Sequence, residues 1–162
     1  MTTLESISAL EHGTLIDAVA WNSLLESPQP ERPLYWYQSI DGQATEWAEL
    51  EGISHLAQLV NQLPDDQDFM VVMDDDPETR YAQTMRLDNG TFTVELAMMI
   101  PNGALNLRVG KGAAAVREPN GPDQVATVLQ EFSPAEAIEI LMRWAAGEGL
   151  AVCYSGAVFA YV

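Results

Sequence analysis

From Thr91 to Ile100 the chain alternates: Phe92, Val94, Leu96, Met98 and Ile100 interleave with Thr91, Thr93, Glu95, Ala97 and Met99. A period of two belongs to a strand with one face on a core and the other toward solvent. Tyr81 to Leu87 precedes it across Asp88-Asn89-Gly90, a turn whose glycine supplies the positive φ of a tight hairpin. Leu34 to Ile40, rich in aromatics, predicts another strand, and Asp41-Gly42 returns it as Gln43 to Leu50. Phe69 to Met73 is a short apolar run, expected as a buried strand. Ala104 to Val109 and Ala113 to Val116 are expected strands around a Gly110-Lys111-Gly112 turn, with Pro101-Asn102-Gly103 a turn before them and Pro119 to Pro122 a loop after them. Val125 to Phe132 and Leu150 to Val162 complete the expected β segments.

Helical spacing appears in four places. Leu4, Ile7 and Leu10 share a face before Gly13. Thr14 with Asp17 resembles a capping box, with Leu15, Ala18, Val19 and Leu25 continuing a helix until Pro28, Pro30 and Pro33 impose an extended linker. Ile53, Leu56, Leu59, Val60 and Leu63 line an amphipathic helix that Pro64 stops. Ser133-Pro134-Ala135-Glu136 carries an N-cap, a proline at N1 and a glutamate at N3. The helix behind it buries Ala137, Ile138, Leu141, Met142, Trp144 and Ala145 and ends at Gly147.

Consecutive hairpins favour an antiparallel sheet, and amphipathic helices cover sheets. The expected fold is therefore α+β: a mainly antiparallel sheet of about six strands, with two or three helices packed on one face. A length of 162 residues suits a single domain over 1–162.

Composition adds two constraints. Hydrophobic residues make up 48%, enough to bury a core and too many for a disordered acidic chain. Twenty-four acids face seven bases, a formal net charge of −17. Residues 1–81 hold 16 of the acids against two arginines, and seven acids fall within residues 61–80. Such a field repels nucleic acid and anionic lipid and attracts basic partners. No apolar run reaches membrane-spanning length, and the first residues lack the basic and apolar regions of a signal peptide. The lone Cys153, in an apolar segment, is expected as an inert core thiol and suits the cytoplasm.

Candidate chemistry is sparse. Asp74 and Asp76 would project to one side of a continued strand, a pairing able to hold Mg²⁺ or Ca²⁺, although a solvated turn or cap accounts for Asp-Pro-Glu better. Gly110 to Ala115 fits a relaxed dinucleotide fingerprint, but Pro119 and Pro122 leave no room for the helix it needs. His12 and His55 fall on expected helices, and one cysteine with two distant histidines makes no zinc set. Neither a cofactor nor a catalytic group is expected. In Tyr35-Trp36-Tyr37, alternation puts the tyrosines on one face and Trp36 on the other.

The stretch Tyr81-Ala82-Gln83-Thr84, then Asp88 to Glu95, then Phe132 to Ala137 and Trp144-Ala145-Ala146-Gly147, resembles the Imm1 group of actinobacterial toxin-immunity proteins. The likeness spans residues 53–147 in outline: a helix, a strand with Gln, a Gly-containing turn, a strand with Glu, and a late helix closing on Trp-Ala-x-Gly. Gly156 to Phe159 stands where that group carries tryptophans. The resemblance implies a non-enzymatic immunity protein.

The expected function is thus an acidic binding protein that neutralises a basic protein partner such as a toxin. Asp65, Asp66, Asp68, Asp74, Asp75, Asp76 and Glu78 supply the field, and Trp36 or Tyr37 anchors the contact. Two alternatives stand beside it: a small chaperone or adaptor for protein clients, and a metal-dependent enzyme using Asp74 and Asp76. The oligomeric state stays open, a dimer included. Asp65, Asp66 and Asp68 flank one end of the Phe69 to Met73 strand and Asp74 to Glu78 the other, so they need not form one patch.

Overall fold

Asp41 and Gly42 both adopt positive φ, 52° and 76°, the conformation of a two-residue turn matched to strand twist. They join β2 (Leu34–Ile40) to β3 (Gln43–Ala44). The computed structural model describes residues 14–25, 32–75, 77–112 and 128–161. In chain order these form β1 (Thr14–Asp17), α1 (Ala18–Asn22), β2, β3, β4 (Ala48–Glu49), α2 (His55–Asn61), β5 (Phe69–Asp74), β6 (Arg80–Arg86), β7 (Phe92–Ile100), β8 (Gly103–Lys111), a 3₁₀ turn (Val128–Gln130), α3 (Pro134–Ala145) and β9 (Tyr154–Tyr161).

The fold is α+β and its sheet is antiparallel at every described pairing. Strand order is β1-β9-β8-β7-β6-β5-β2-β3, with β4 also on β2. Nine strands replace the expected six or so among the described residues. The extra ones are short or distant in sequence: β3 and β4 divide one expected strand, and β1 occupies a segment expected as helix. Leu15 fitted a helical face with Ala18, Val19 and Leu25, but Thr14–Asp17 instead pairs with Ser155–Val158 at the sheet edge. Asp17, not Thr14, is the N-cap: its Oδ1 accepts the Ala20 N–H at 2.8 Å.

The core face of the sheet carries Met70, Val72, Ala82, Val94, Leu96, Leu105, Leu107 and Val158. Leu56, Leu59 and Val60 of α2 and Ala137, Ile140, Leu141 and Trp144 of α3 belong to the same buried cluster. Burying each such side chain contributes about 1.5–3 kcal/mol. Charged and polar side chains on this face tie it to helix ends. Gln38 Nε2 donates to Leu59 O at 2.9 Å, Arg86 to Leu63 O at 2.9 Å, and Arg80 to Ala145 O at 3.3 Å. The α3 start forms as expected: Ser133 Oγ accepts from Glu136 N–H while Glu136 Oε1 accepts from Ser133 N–H. Ile140 joins the buried face of α3, whereas Ile138, Met142 and Ala145 are only partly buried.

Other expectations change. Gly110 and Lys111 lie within β8, paired with Ser155 and Tyr154, and only Gly112 turns, at φ 78°. Ala113 to Val116, the Pro119 to Pro122 loop and the helix on Leu4, Ile7 and Leu10 lie outside the described residues. Of the strand expected over Val125 to Phe132, residues 125–127 lie outside the described residues, Val128–Gln130 is a 3₁₀ turn, and Phe132 alone bridges to Phe92. Thr93 and Ala97, expected toward solvent, are buried on the second face of β7. Cys153, expected in the core, is exposed, because Val152 and Cys153 occupy the turn that precedes β9. Gly156 is where β9 crosses closest to β8: a Cβ there would sit 2.6 Å from Arg108 O and 2.7 Å from Leu107 Cδ1. Among the described residues no helix is long and apolar enough to cross a membrane.

Candidate functional site

The second face of the sheet carries a different chemistry. Pairing registers align Tyr35, Met73, Tyr81, Ala97 and Asn106 in one row across β2, β5, β6, β7 and β8. The next row holds Tyr37, Val71, Gln83, Glu95 and Arg108, and a third holds Ser39, Phe69, Met85 and Thr93. Over β2, β5 and β6 these side chains are half-buried; over β8 and β9 they become buried, with Arg108 3% and Phe159 0% exposed.

At the centre of this face is a polar network. Tyr81 donates its hydroxyl to Asn106 Oδ1 at 2.8 Å, Asn106 Nδ2 donates to Glu95 Oε1 at 3.2 Å, and Arg108 donates to Glu95 Oε2 at 3.0 Å. Burial pushes the Tyr81 phenol above its ordinary range, against the lowering effect of the Asn106 bond. Each member bonds its neighbour, so the four side chains form one connected polar seam across β6, β7 and β8.

The edge of the face is built by a bulge. Trp36 pairs with Ala48 and Ser39 with Ala44, so Tyr37 and Gln38 on β2 face three residues, Thr45, Glu46 and Trp47. Thr45 N–H donates to Gln38 O at 2.8 Å while its Oγ1 accepts from Gln38 N–H at 3.0 Å, which absorbs the extra residue. A bulge twists an edge strand and re-aims a side chain. Here it sets Trp47 edge-on against Tyr37, ring centres 4.6 Å apart, with Phe69 on the other side of Tyr37 at 6.2 Å. Trp47 remains 48% exposed. Glu49, paired with Tyr35, points to the same face and is exposed, as is Glu46.

The acidic residues separate by role. Asp68 is buried and accepts from the Asp41 N–H at 2.9 Å and the Asp65 N–H at 3.0 Å, fixing the loop before β5. Asp74 is 2% exposed: it accepts the Thr79 N–H at 2.6 Å, the Arg80 N–H at 3.1 Å and the Thr79 hydroxyl, with Arg32 at 3.8 Å. Those contacts fill the carboxylate that a metal would require, and no group of three metal-ligating side chains occurs among the described residues. Asp65, Asp66 and Asp75 are exposed and Glu78 is partly so, whereas Asp76 lies outside the described residues. Burial, then the Asp74 and Asp75 charges, push the Glu78 carboxyl above its ordinary value of 4.5. Asp68 and Asp74 bracket β5, about 20 Å apart at the rise of a strand, so the two acidic groups are distinct.

Of the two expected anchors, Tyr37 lies on the second face. Trp36 faces the helices, edge-on to His55 at 5.8 Å. His55 itself is satisfied, its Nδ1 accepting from Glu51 N–H. Trp47 was not singled out from the sequence, because Gln43 to Leu50 reads as one regular strand until the bulge is seen.

The described bases engage acceptors of their own chain. Arg32 donates to Asp75 O and Pro77 O, Arg80 to Trp144 O and Ala145 O, Arg86 to Leu63 O and Arg108 to Glu95. Lys111 is 3.6 Å from Glu136 and Arg143 is 3.9 Å from Glu148. Each described base therefore meets an acceptor of its own chain. Comparison with protein-family models, with curated proteins and with solved structures found no match.

Proposed function

We propose that the protein is a non-enzymatic acidic binding protein that captures a basic protein partner, in the manner of an immunity protein neutralising a basic toxin. The observation that carries this reading is an exposed aromatic step, Trp47 on Tyr37, flanked by Glu46 and Glu49, on a chain whose described bases all pair with its own acceptors. With each described cation paired to an acceptor of its own chain and a net charge of −17, the chain presents a negative field that speeds encounter with a cationic surface. Half-buried aromatic and methionine side chains on the second face supply contact area once the partner arrives. In this reading the helices serve the opposite, core side, and the partner meets Tyr35, Tyr37, Trp47, Phe69 and Met73. Asp65, Asp66, Asp75 and Glu78 act at a distance, while Asp68 and Asp74 hold loops.

The test is affinity capture from the native cell at low and at raised salt, with mass spectrometry of what is retained. The expected result is a basic protein whose recovery falls steeply with salt. Recovery of neutral or acidic proteins alone, indifferent to salt, overturns the reading.

The half-exposed Phe69, Val71, Met73 and Met85 favour one second reading, an adaptor or chaperone for apolar protein clients. Such a protein would bind a hydrophobic dye and suppress aggregation of an unfolded neutral client. A dedicated capture protein would do neither.

A further inference from the structure

We infer that Trp47, with Tyr37, Glu46 and Glu49, forms the docking point for a single arginine side chain of the basic partner. The inference rests on the capture reading above and names its contact chemistry. Four tryptophans occur in the chain; Trp21 and Trp144 are buried and Trp36 is half-buried on the helix side, so Trp47 alone offers a wide indole surface. Solitary exposed aromatics are ordinary, but this one is held. Tyr37 supports it edge-on at 4.6 Å, Phe69 supports Tyr37, and the bulge fixes the backbone beneath it through Thr45 and Gln38. A supported aromatic loses little freedom on binding, which is the property of an anchor.

Charge decides the occupant. A cation is drawn to an indole face, and carboxylates beside the ring add a second, directional attraction. Glu49 shares the face with Tyr35 and Trp47, and Glu46 adjoins Trp47 in the bulge. No base occurs between Pro33 and Thr79, so the chain flanking the site offers no intramolecular competitor. Planar guanidinium both stacks on an aromatic ring and pairs with a carboxylate in a fork, which ammonium does not. A second copy of this chain is a poor occupant, since each copy carries −17. Strand addition to the same edge is disfavoured by the bulge, which interrupts the ladder a partner strand would extend. The contact is therefore made by side chains.

The experiment titrates the full chain with a blocked peptide bearing one arginine among neutral residues, with its lysine and citrulline counterparts, reading tryptophan fluorescence and calorimetry. Arginine should bind more tightly than lysine, and citrulline not at all. Trp47→Ala and Trp47→Leu should each weaken the arginine peptide roughly tenfold and abolish the fluorescence change. Paired Glu46→Gln and Glu49→Gln should weaken it as well, and Glu139→Gln, at an exposed position of α3, should not. Equal binding by the Trp47 variants and the native chain overturns the inference. So does a lack of arginine-peptide binding at low salt. In either case salt-sensitive capture of a basic protein from cells would still uphold the broader reading, so the two fail separately.

Discussion

Arg80 of β6 lies with its guanidinium carbon 4.4 Å from the centre of the Trp144 ring and donates to the carbonyls of Trp144 and Ala145. One side chain thereby bonds two of the last carbonyls of α3, adding to the Gly147 N–H that Trp144 O already accepts at 3.1 Å, and places positive charge where the helix dipole favours it. Arg80→Ala removes charge-assisted bonds and the ring contact together and should cost about 3 kcal/mol by urea unfolding. Arg80→Lys should recover only part of that, because an ammonium cannot reach two carbonyls from a flat stack. A loss of under half a kilocalorie in the alanine variant would show that the α3 end stands without it.

The acidic groups should separate cleanly in the same assay. Asp74→Ala strips a charged acceptor from the Thr79 and Arg80 N–H groups and should cost about 2 kcal/mol, since hydrogen bonds to an ionised carboxylate are the stronger kind. Asp66→Asn, on an exposed turn, should change stability by under about 0.5 kcal/mol. Against the captured partner, exchanging Asp65 and Asp66 for lysine should slow association and leave dissociation nearly unchanged.

Asn22, at the end of α1, clamps the chain entering β9: its Nδ2 donates to Leu150 O and its Oδ1 accepts from Leu150 N–H, both at 2.8 Å. Gly149 stands against that clamp at φ 71°, and a Cβ there would lie 2.5 Å from Asn22 Oδ1. Gly149→Ala should therefore cost about 2 kcal/mol or more, from backbone strain and a displaced amide. Asn22→Ala should cost a similar amount, and the double variant less than the sum, because both act on one contact. Additive losses would mean the two residues are independent.

Elements whose cause is local were legible in the sequence. Ser133-Pro134-Ala135-Glu136 caps α3 through bonds three residues apart, and Asp41-Gly42 turns β2 into β3 by its own backbone preference. Elements whose cause is distant were not. Thr14–Asp17 is a strand only because Ser155–Val158 is there to pair with it, and four residues show too short an alternation to outweigh a helical face. The site divides the same way. The placement of Tyr35 and Tyr37 opposite Trp36 follows from a period of two. The bulge that presents Trp47 depends on a register offset between two pairings that no single segment encodes. Asp68 and Asp74 look like surface charge in a list of acids, and only their accepted N–H bonds reveal them as loop fasteners.

Two glutamates should pull the pH dependence of stability in opposite directions. Glu136 is held below its ordinary value of 4.5, first by the Ser133 N–H bond in the capping box. Its contribution is complete above 4.5 and is lost as pH falls from there through the lower folded value. Glu78 is raised above 4.5 by burial and by Asp74 and Asp75, so its contribution is complete below 4.5 and is lost as pH rises through the higher folded value. Relative to the native chain, Glu78→Gln should gain stability at pH 7, and the gain should shrink on acidification toward 4.5. Glu136→Gln keeps a capping side chain that no longer titrates, so its deficit at pH 7 should shrink only below 4.5. Urea unfolding of the three proteins from pH 3 to pH 7 reads both effects as differences, which removes the background of the other carboxylates. A Glu78→Gln difference that stays flat from pH 7 to 4.5 would show that neither burial nor the Asp74 and Asp75 charges raise its carboxyl.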